Sequence, residues 1–176
     1  MVEIPSRFTC YIPCGGDLHL THRAVASLDD ELTKDYPYAS IVVINNTEGP
    51  IEVPGADDIV DMPVRLLHGQ SINYMVRDAA ARGEPFCMSL HNDAKLYPGA
   101  VKELLDKWAE IQYTNTRWGA ITLGHNNGDA FVLWNPRFFI DENVWHLPFL
   151  HPFYYLDNTM YRMMELRGYE IIHRTT

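Results

Sequence analysis

The chain has 176 residues, 47 % hydrophobic and 21 % charged, globular values that exclude intrinsic disorder. Its 14 Lys and Arg against 23 Asp and Glu leave a net charge of −9. That balance disfavours gripping nucleic acid through a basic face, although a local patch can still reach such a substrate. Cys10, Cys14 and Cys87 fit no zinc spacing and read as reduced, buried thiols. Nowhere do about 18 apolar residues run together. Met1–Ser6 carries neither an apolar nor a basic leader, so the expectation is a cytoplasmic protein without a membrane span.

The first apolar run, Phe8 to Pro13, reads as a strand ending in Cys14-Gly15-Gly16. Leu20, Ala24, Leu28 and Leu32 then recur every four residues, the stripe of a helix. Ser40–Asn45 is β-branched and continuous, as in a strand covered on both faces, and ends at a turn over Asn46–Pro50. Val64–Leu67 is expected to be a third, short strand, with Ser71 capping a helix that turns Ile72, Met75, Val76, Ala79 and Ala80 inward and stops at Gly83. Phe86–Leu90 is a further strand and runs directly into His91-Asn92-Asp93. Pro98 opens a helix bearing Val101, Leu104, Leu105 and Trp108.

The first 110 residues thus alternate strand and helix, which predicts a mostly parallel sheet with helices on both faces. Such sheets bind ligands beyond the carboxyl ends of their strands, here Pro13–Gly16, Asn45–Thr47 and His91–Asp93. The remainder is rich in aromatics. Strand-like pieces at Ala120–Leu123 and Ala130–Trp134 flank Asn126–Asp129. A helix is expected over Asp157–Leu166 and a last strand over Tyr169–His173.

Asp93 offers the carboxylate that Mg²⁺ or Mn²⁺ prefers, and His91 a nitrogen suited to Mn²⁺. Asn-Asp after a strand is equally a common turn. The stretch from Asn73 through Arg77, Ala81-Arg82-Gly83 and His91-Asn92-Asp93 to Pro98-Gly99 resembles the central signature of family-2-type glycosyltransferases with the GT-A fold, notably rhamnosyltransferase-like ones. Tyr11-Ile12-Pro13 looks like that family's first strand and Ile41–Asn46 like its second. Asn127–Phe131 looks like its glycine-containing loop beside the donor sugar. Tyr155-Leu156-Asp157, with Arg162 and Gly168-Tyr169, resembles its Glu-Asp motif and the helix that follows.

The resemblance implies an α/β fold with one GT-A-like domain over 1–176 and a mostly parallel central sheet flanked by helices. Residues 1–110 would hold the nucleotide sugar, and 111–176 would form the acceptor and catalytic half. It implies metal-dependent, inverting sugar transfer to an acceptor hydroxyl, with Asp93, His91 and His173 holding Mn²⁺ or Mg²⁺. Donor contacts are carried to Pro13, Asn45, Asn46, Asn73, Arg77, Asn92, Gly128 and Asp129. Asp157 is carried as the general base, although its place before a helix also suits an N-cap. Acceptors of small transferases of this type include glycans, proteins and hydroxylated DNA bases. With no separate acceptor domain, acceptor recognition falls to the aromatic segment or to a partner subunit, so a homo-oligomer is among the expected states.

The sequence departs from the family at Met75, which replaces a glycine, and at Asn45 and Asn46, which replace an acidic residue. His91 also stands at the first acidic position. These departures motivate one alternative, a non-catalytic nucleotide- or sugar-binding module. A nucleotidyltransferase is the other. That class carries Lys or Arg in the glycine-rich loop after the first strand, and Cys14-Gly15-Gly16-Asp17 has neither.

Overall fold

In the computed structural model, residues 3–5, 7–123, 130–146 and 156–174 are described, except for the side chains of 156, 157 and 174. The β-branched run Ser40–Asn45 (β2) pairs in parallel with Thr9–Cys14 (β1), and Asp58–Asp61 (β3) pairs in parallel with β2. Cys87–Leu90 (β4) lies on the other side of β1, also parallel. Trp118–Leu123 (β5), Phe131–Trp134 (β6) and Glu170–Arg174 (β7) complete one seven-stranded sheet in the order β3-β2-β1-β4-β6-β5-β7. Only β6 runs antiparallel to its neighbours. The observed mostly parallel α/β sheet is the architecture expected from the sequence.

Period-two alternation sends successive side chains to opposite faces, and both faces are covered. Cys10, Ile12, Ile41 and Val43 pack under Leu18–Asp35 (α1) and Ala100–Ile111 (α3). Tyr11, Val42 and Ile44 pack under His68–Ala81 (α2), Pro136–Asp141 (α4) and Leu156–Leu166 (α5). Asp17 caps α1 by accepting from the amides of His19 and Leu20, one route to satisfying the orphan donors of a helix start.

Two elements differ from expectation. The third strand is Asp58–Asp61, not Val64–Leu67. Ile59 and Val60 take the positions beside β2, while Val64 is 66 % exposed and its segment leads into α2. That helix begins at His68, so Ser71 is not its cap. Leu67 holds the cap position, its amide donating to Gln70 Oε1, and the Ser71 hydroxyl reaches back to the Leu67 carbonyl. The short helix α4 has no counterpart in the expected elements. Asn135 caps it by accepting from the Arg137 amide, and Pro136 stands at its first position, a favoured site for proline.

Candidate active site

The chain leaves β1 through α1 to β2 and β3 on one side, then returns through α2 to β4 on the other. The carboxyl ends of β1 and β4 therefore flank a topological switch point, where loops diverge and leave a crevice. A cavity of about 530 Å³ opens there. It is lined by Pro13 and Gly15 after β1, Asn46 after β2, Arg65–His68 and Ser71 at the start of α2, and His91–Asp93 after β4.

Side-chain hydrogen bonds help to hold α2 in place. Near its end, Tyr11 Oη donates to Asp78 Oδ2 at 2.8 Å. Beside the cavity, the buried Asn46 amide donates to Ser71 Oγ at 3.1 Å and accepts the Leu66 amide at 3.3 Å. Asn46 therefore shapes the wall as much as it faces the space. Asn92 Nδ2 makes a long contact of 3.4 Å to Thr21 Oγ1 on α1, so helices on both faces of the sheet steady the cavity.

His68 and His91 meet edge to face with ring centroids 4.7 Å apart. Burial, reinforced by His91, pushes the His68 imidazole down to about 4, and Asp93 only partly opposes this. At neutral pH His68 is therefore uncharged. Its Nε2 is buried without a hydrogen-bond partner among the described residues. Arg65 donates from Nη2 to the Gly15 carbonyl at 2.9 Å, joining the α2 approach to the β1–α1 loop.

Of the residues singled out from sequence, Pro13, Asn46, His91, Asn92 and Asp93 come together at this cavity. Asn45 does not line it. Its side chain is consumed by its own turn, donating to Gly49 O and Asp61 Oδ1 and accepting from the Thr47 amide and hydroxyl. Asn73 and Arg77 also lie outside the lining. Asn73 clasps the His146 backbone, donating to its carbonyl and accepting from its amide, both at 3.0 Å. The Arg77 guanidinium sits 4.4 Å from the Trp145 ring centroid, a cation–π contact. Both residues fasten segment 143–146 to α2.

His173 lies on β7, three strand positions from β4, roughly 14 Å along the sheet. Its Nδ1 is 2.9 Å from Thr122 Oγ1, and its ring lies against Tyr161. His173 does not line the cavity that holds Asp93 and His91. Gly128 and Asp129 lie outside the described residues. Asp157 falls in the first turn of α5, and its side chain lies outside them as well.

Among the described residues no three His, Cys, Asp or Glu side chains are grouped to hold a metal ion. The cavity offers one carboxylate, Asp93, and the neighbouring His91 imidazole. A set this sparse suits an Mg²⁺-like ion that takes one or two carboxylates and completes its shell with substrate phosphates and water. It fits a shared cation and not an all-protein cage.

The sequence reading missed Arg65, Leu66, Leu67, His68 and Ser71. Reading Val64–Leu67 as a strand hid a loop that feeds the crevice. The Asp58–Asp61 run, with two β-branched residues between acids, was the available signal for the true strand.

Neither a protein-family model nor any curated protein matches the sequence. Solved structures do. A protein of Desulfovibrio desulfuricans G20 assigned as a nucleotide-diphospho-sugar transferase superposes with a TM-score of 0.61 at 12 % identity, over 94 % of this chain and 79 % of that one. The fold is that of the nucleotide-diphospho-sugar transferases. The mannosyltransferase PcManGT of Pyrobaculum calidifontis, solved with GDP-Man and Mn²⁺, gives a TM-score of 0.66 at 13 % identity, covering 98 % of this chain and 55 % of its own. This chain thus spans about half that enzyme's length. A cytidylyltransferase of Leptospira borgpetersenii gives 0.59 at 11 % identity, covering 97 % and 76 %. No helix among the described residues is long and apolar enough to cross a membrane.

Proposed function

We propose that the chain is a glycosyltransferase that binds a nucleotide-sugar donor in the switch-point cavity and transfers the sugar to an acceptor hydroxyl. The observation that carries this is the convergence of Pro13, Asn46, His91, Asn92 and Asp93 on one cavity at the carboxyl ends of β1, β2 and β4. A fold shared with a mannosyltransferase solved with GDP-Man and Mn²⁺ supports it.

On this reading Asp93, with His91 beside it, holds Mn²⁺ or Mg²⁺ together with the donor. The bound ion supplies charge neutralisation to the leaving diphosphate. The cavity walls orient the nucleotide, and neutral His68 adds no positive charge of its own. Asp157 is the proposed base, removing the acceptor's proton as the glycosidic bond forms. A single base on the face opposite the diphosphate gives inversion. The donor then belongs to residues 1–110 and the acceptor, a glycan, a protein or a hydroxylated DNA base, to residues 111–176. The net charge of −9 weighs against DNA.

One observation favours a second reading. Arg65 places a guanidinium against the Gly15 carbonyl, supplying from elsewhere in the chain a cation that the Cys14–Asp17 loop lacks. Nucleotidyltransferases use a cation beside that loop, and the cytidylyltransferase shares the fold. The test incubates the protein with Mn²⁺ and either a panel of nucleotide sugars or nucleoside triphosphates plus sugar 1-phosphates. Release of nucleoside diphosphate from a nucleotide sugar supports glycosyl transfer, and release of pyrophosphate from a triphosphate supports the second reading. Nucleotide binding without turnover in either arm leaves a binding module of the same fold.

A further inference from the structure

The family resemblance carried a donor contact to Arg77, yet its guanidinium lies on Trp145, outside the cavity lining. Among the described residues the cavity lining contains one permanently charged cation, Arg65. It is exposed, and one of its nitrogens is anchored on Gly15 O at 2.9 Å. Gly15 lines the same cavity, so the guanidinium is drawn between two loops of its rim. Among the described residues no carboxylate pairs with Arg65. In a chain of net charge −9, where among the described residues six other arginine or lysine side chains have carboxylate partners, an unpaired cation at a cavity rim is available to an anionic ligand.

We propose that Arg65, held across the cavity rim by the Gly15 carbonyl, is the residue that binds the diphosphate of the nucleotide. The inference rests on the nucleotide-binding reading above and adds to it the group that meets the anion. The geometry suits that role. One N–H is spent on the anchor, and the remaining donors of the planar fork can still engage phosphate oxygens in pairs. Anchoring also limits the rotamer freedom lost when the ligand arrives. Loop Arg65–Leu67 is itself tied down through the Leu66 amide to Asn46 and the Leu67 amide to Gln70. The α2 N-terminus, without a side-chain cap, opens on the same space and adds a favourable field for anions.

This assignment also accounts for the sparse metal donors. A diphosphate that meets Arg65 on one side and a cation shared with Asp93 on another needs fewer protein carboxylates. Some diphosphate affinity should therefore persist when the divalent ion is removed, and it should belong to Arg65.

The experiment titrates UDP, GDP and inorganic pyrophosphate calorimetrically into the full chain and into Arg65→Gln and Arg65→Lys, each in Mn²⁺ and in EDTA. The expected result is a loss of about tenfold or more in affinity for Arg65→Gln, with partial recovery in Arg65→Lys. The fractional loss should be largest in EDTA, and raising the salt concentration should weaken wild type more than Arg65→Gln. Ligand-free melting temperatures should agree within a degree or two, since the side chain is exposed. Unchanged affinity in Arg65→Gln overturns the proposal. So do equal losses in both variants together with a lowered melting temperature, because Arg65 would then only brace the rim. If pyrophosphate binds through Arg65 but neither nucleotide binds, the nucleotide-sugar reading falls and takes with it the assignment of Arg65 to a nucleotide's diphosphate. If wild type binds none of the three, both fall.

Discussion

Residues 9–111 build four strands that pair with one another only in parallel, whereas residues 118–174 add an antiparallel strand, a six-residue helix and the far edge of the sheet. The first half gathers its loops at one edge, because each parallel crossover returns the chain to the same end. All residues lining the switch-point cavity fall between Pro13 and Asp93. The second half packs instead. Trp134 contacts Phe139, His146 and Tyr161, while Phe138 meets Tyr169. It joins the first half along the β4–β6 pairing, and Asn73 and Arg77 additionally hold segment 143–146 against α2. The contrast teaches that donor affinity and global stability should respond to different halves.

The largest expected effect tests the separation directly. Asp93 is exposed and packs little, so Asp93→Ala should leave the melting temperature unchanged while abolishing Mn²⁺-enhanced nucleotide binding and transfer. His173→Ala, three strands away on β7, should raise the Mn²⁺ concentration needed far less than that, since its ring already engages Thr122. Equal effects in the two Mn²⁺ titrations would break the comparison and return His173 to the metal.

Asp157→Asn probes what the second half contributes to chemistry. It keeps the side chain's size at this first-turn position of α5 and loses only its charge there, so stability should change by less than about 1 kcal/mol. Loss of a general base should lower transfer by roughly 10²–10⁴-fold with nucleotide affinity nearly unaltered. Full transfer activity in this variant ends the case for Asp157, and destabilisation confined to Asp157→Ala identifies a first-turn carboxylate that only supports α5, which begins at Leu156 and so does not take Asp157 as its N-cap.

How much of this was legible in the sequence divides along the same line. Strands β1, β2 and β4 announced themselves as continuous apolar runs, and the carboxyl-end rule then led to Pro13, Asn46 and His91–Asp93. What remained hidden depends on side-chain direction, which spacing does not encode. Asn45 and Asn46 are adjacent, yet one closes its turn and the other reaches α2. Asn73 and Arg77 sit one helical turn apart on the outer side of α2, facing segment 143–146. His68 was overlooked because its helix begins three residues earlier than the expected Ser71 cap.

Acid should act on the second half as well as on the cavity. Burial, with His68 as a second cause, pushes His146 down to about 3, and it is only 3 % exposed. The unfolded chain takes up that proton near 6.5, while the folded chain resists it until about 3. The stability due to neutral His146 is therefore complete above pH 6.5 and is lost progressively as pH falls toward 3. Linkage makes this on the order of several kcal/mol. His146→Leu keeps the backbone bonds to Asn73 and removes the titrating ring, so its denaturant midpoint should fall less steeply than wild type between pH 6.5 and 4. Parallel curves would show that other groups carry the acid sensitivity.

The smallest effect isolates packing from binding. Gly119 lies in β5 where α5 crosses closely, and a Cβ there would stand 2.6 Å from Met164 Sδ and 2.9 Å from its Cγ. Both atoms belong to a flexible side chain, so the clash can be relieved by moving Met164 without displacing backbone. Met164 is fully buried in the cluster with Met160 and Tyr161, and moving it disturbs packing that has no spare volume. Gly119→Ala should therefore cost about 1–3 kcal/mol, read as a lower denaturant midpoint with an unchanged slope. Nucleotide affinity should stay at the wild-type value, because no cavity-lining residue belongs to β5 or α5. If Gly119→Ala weakens nucleotide binding as much as it lowers stability, the halves are coupled through the sheet and the division drawn between them fails.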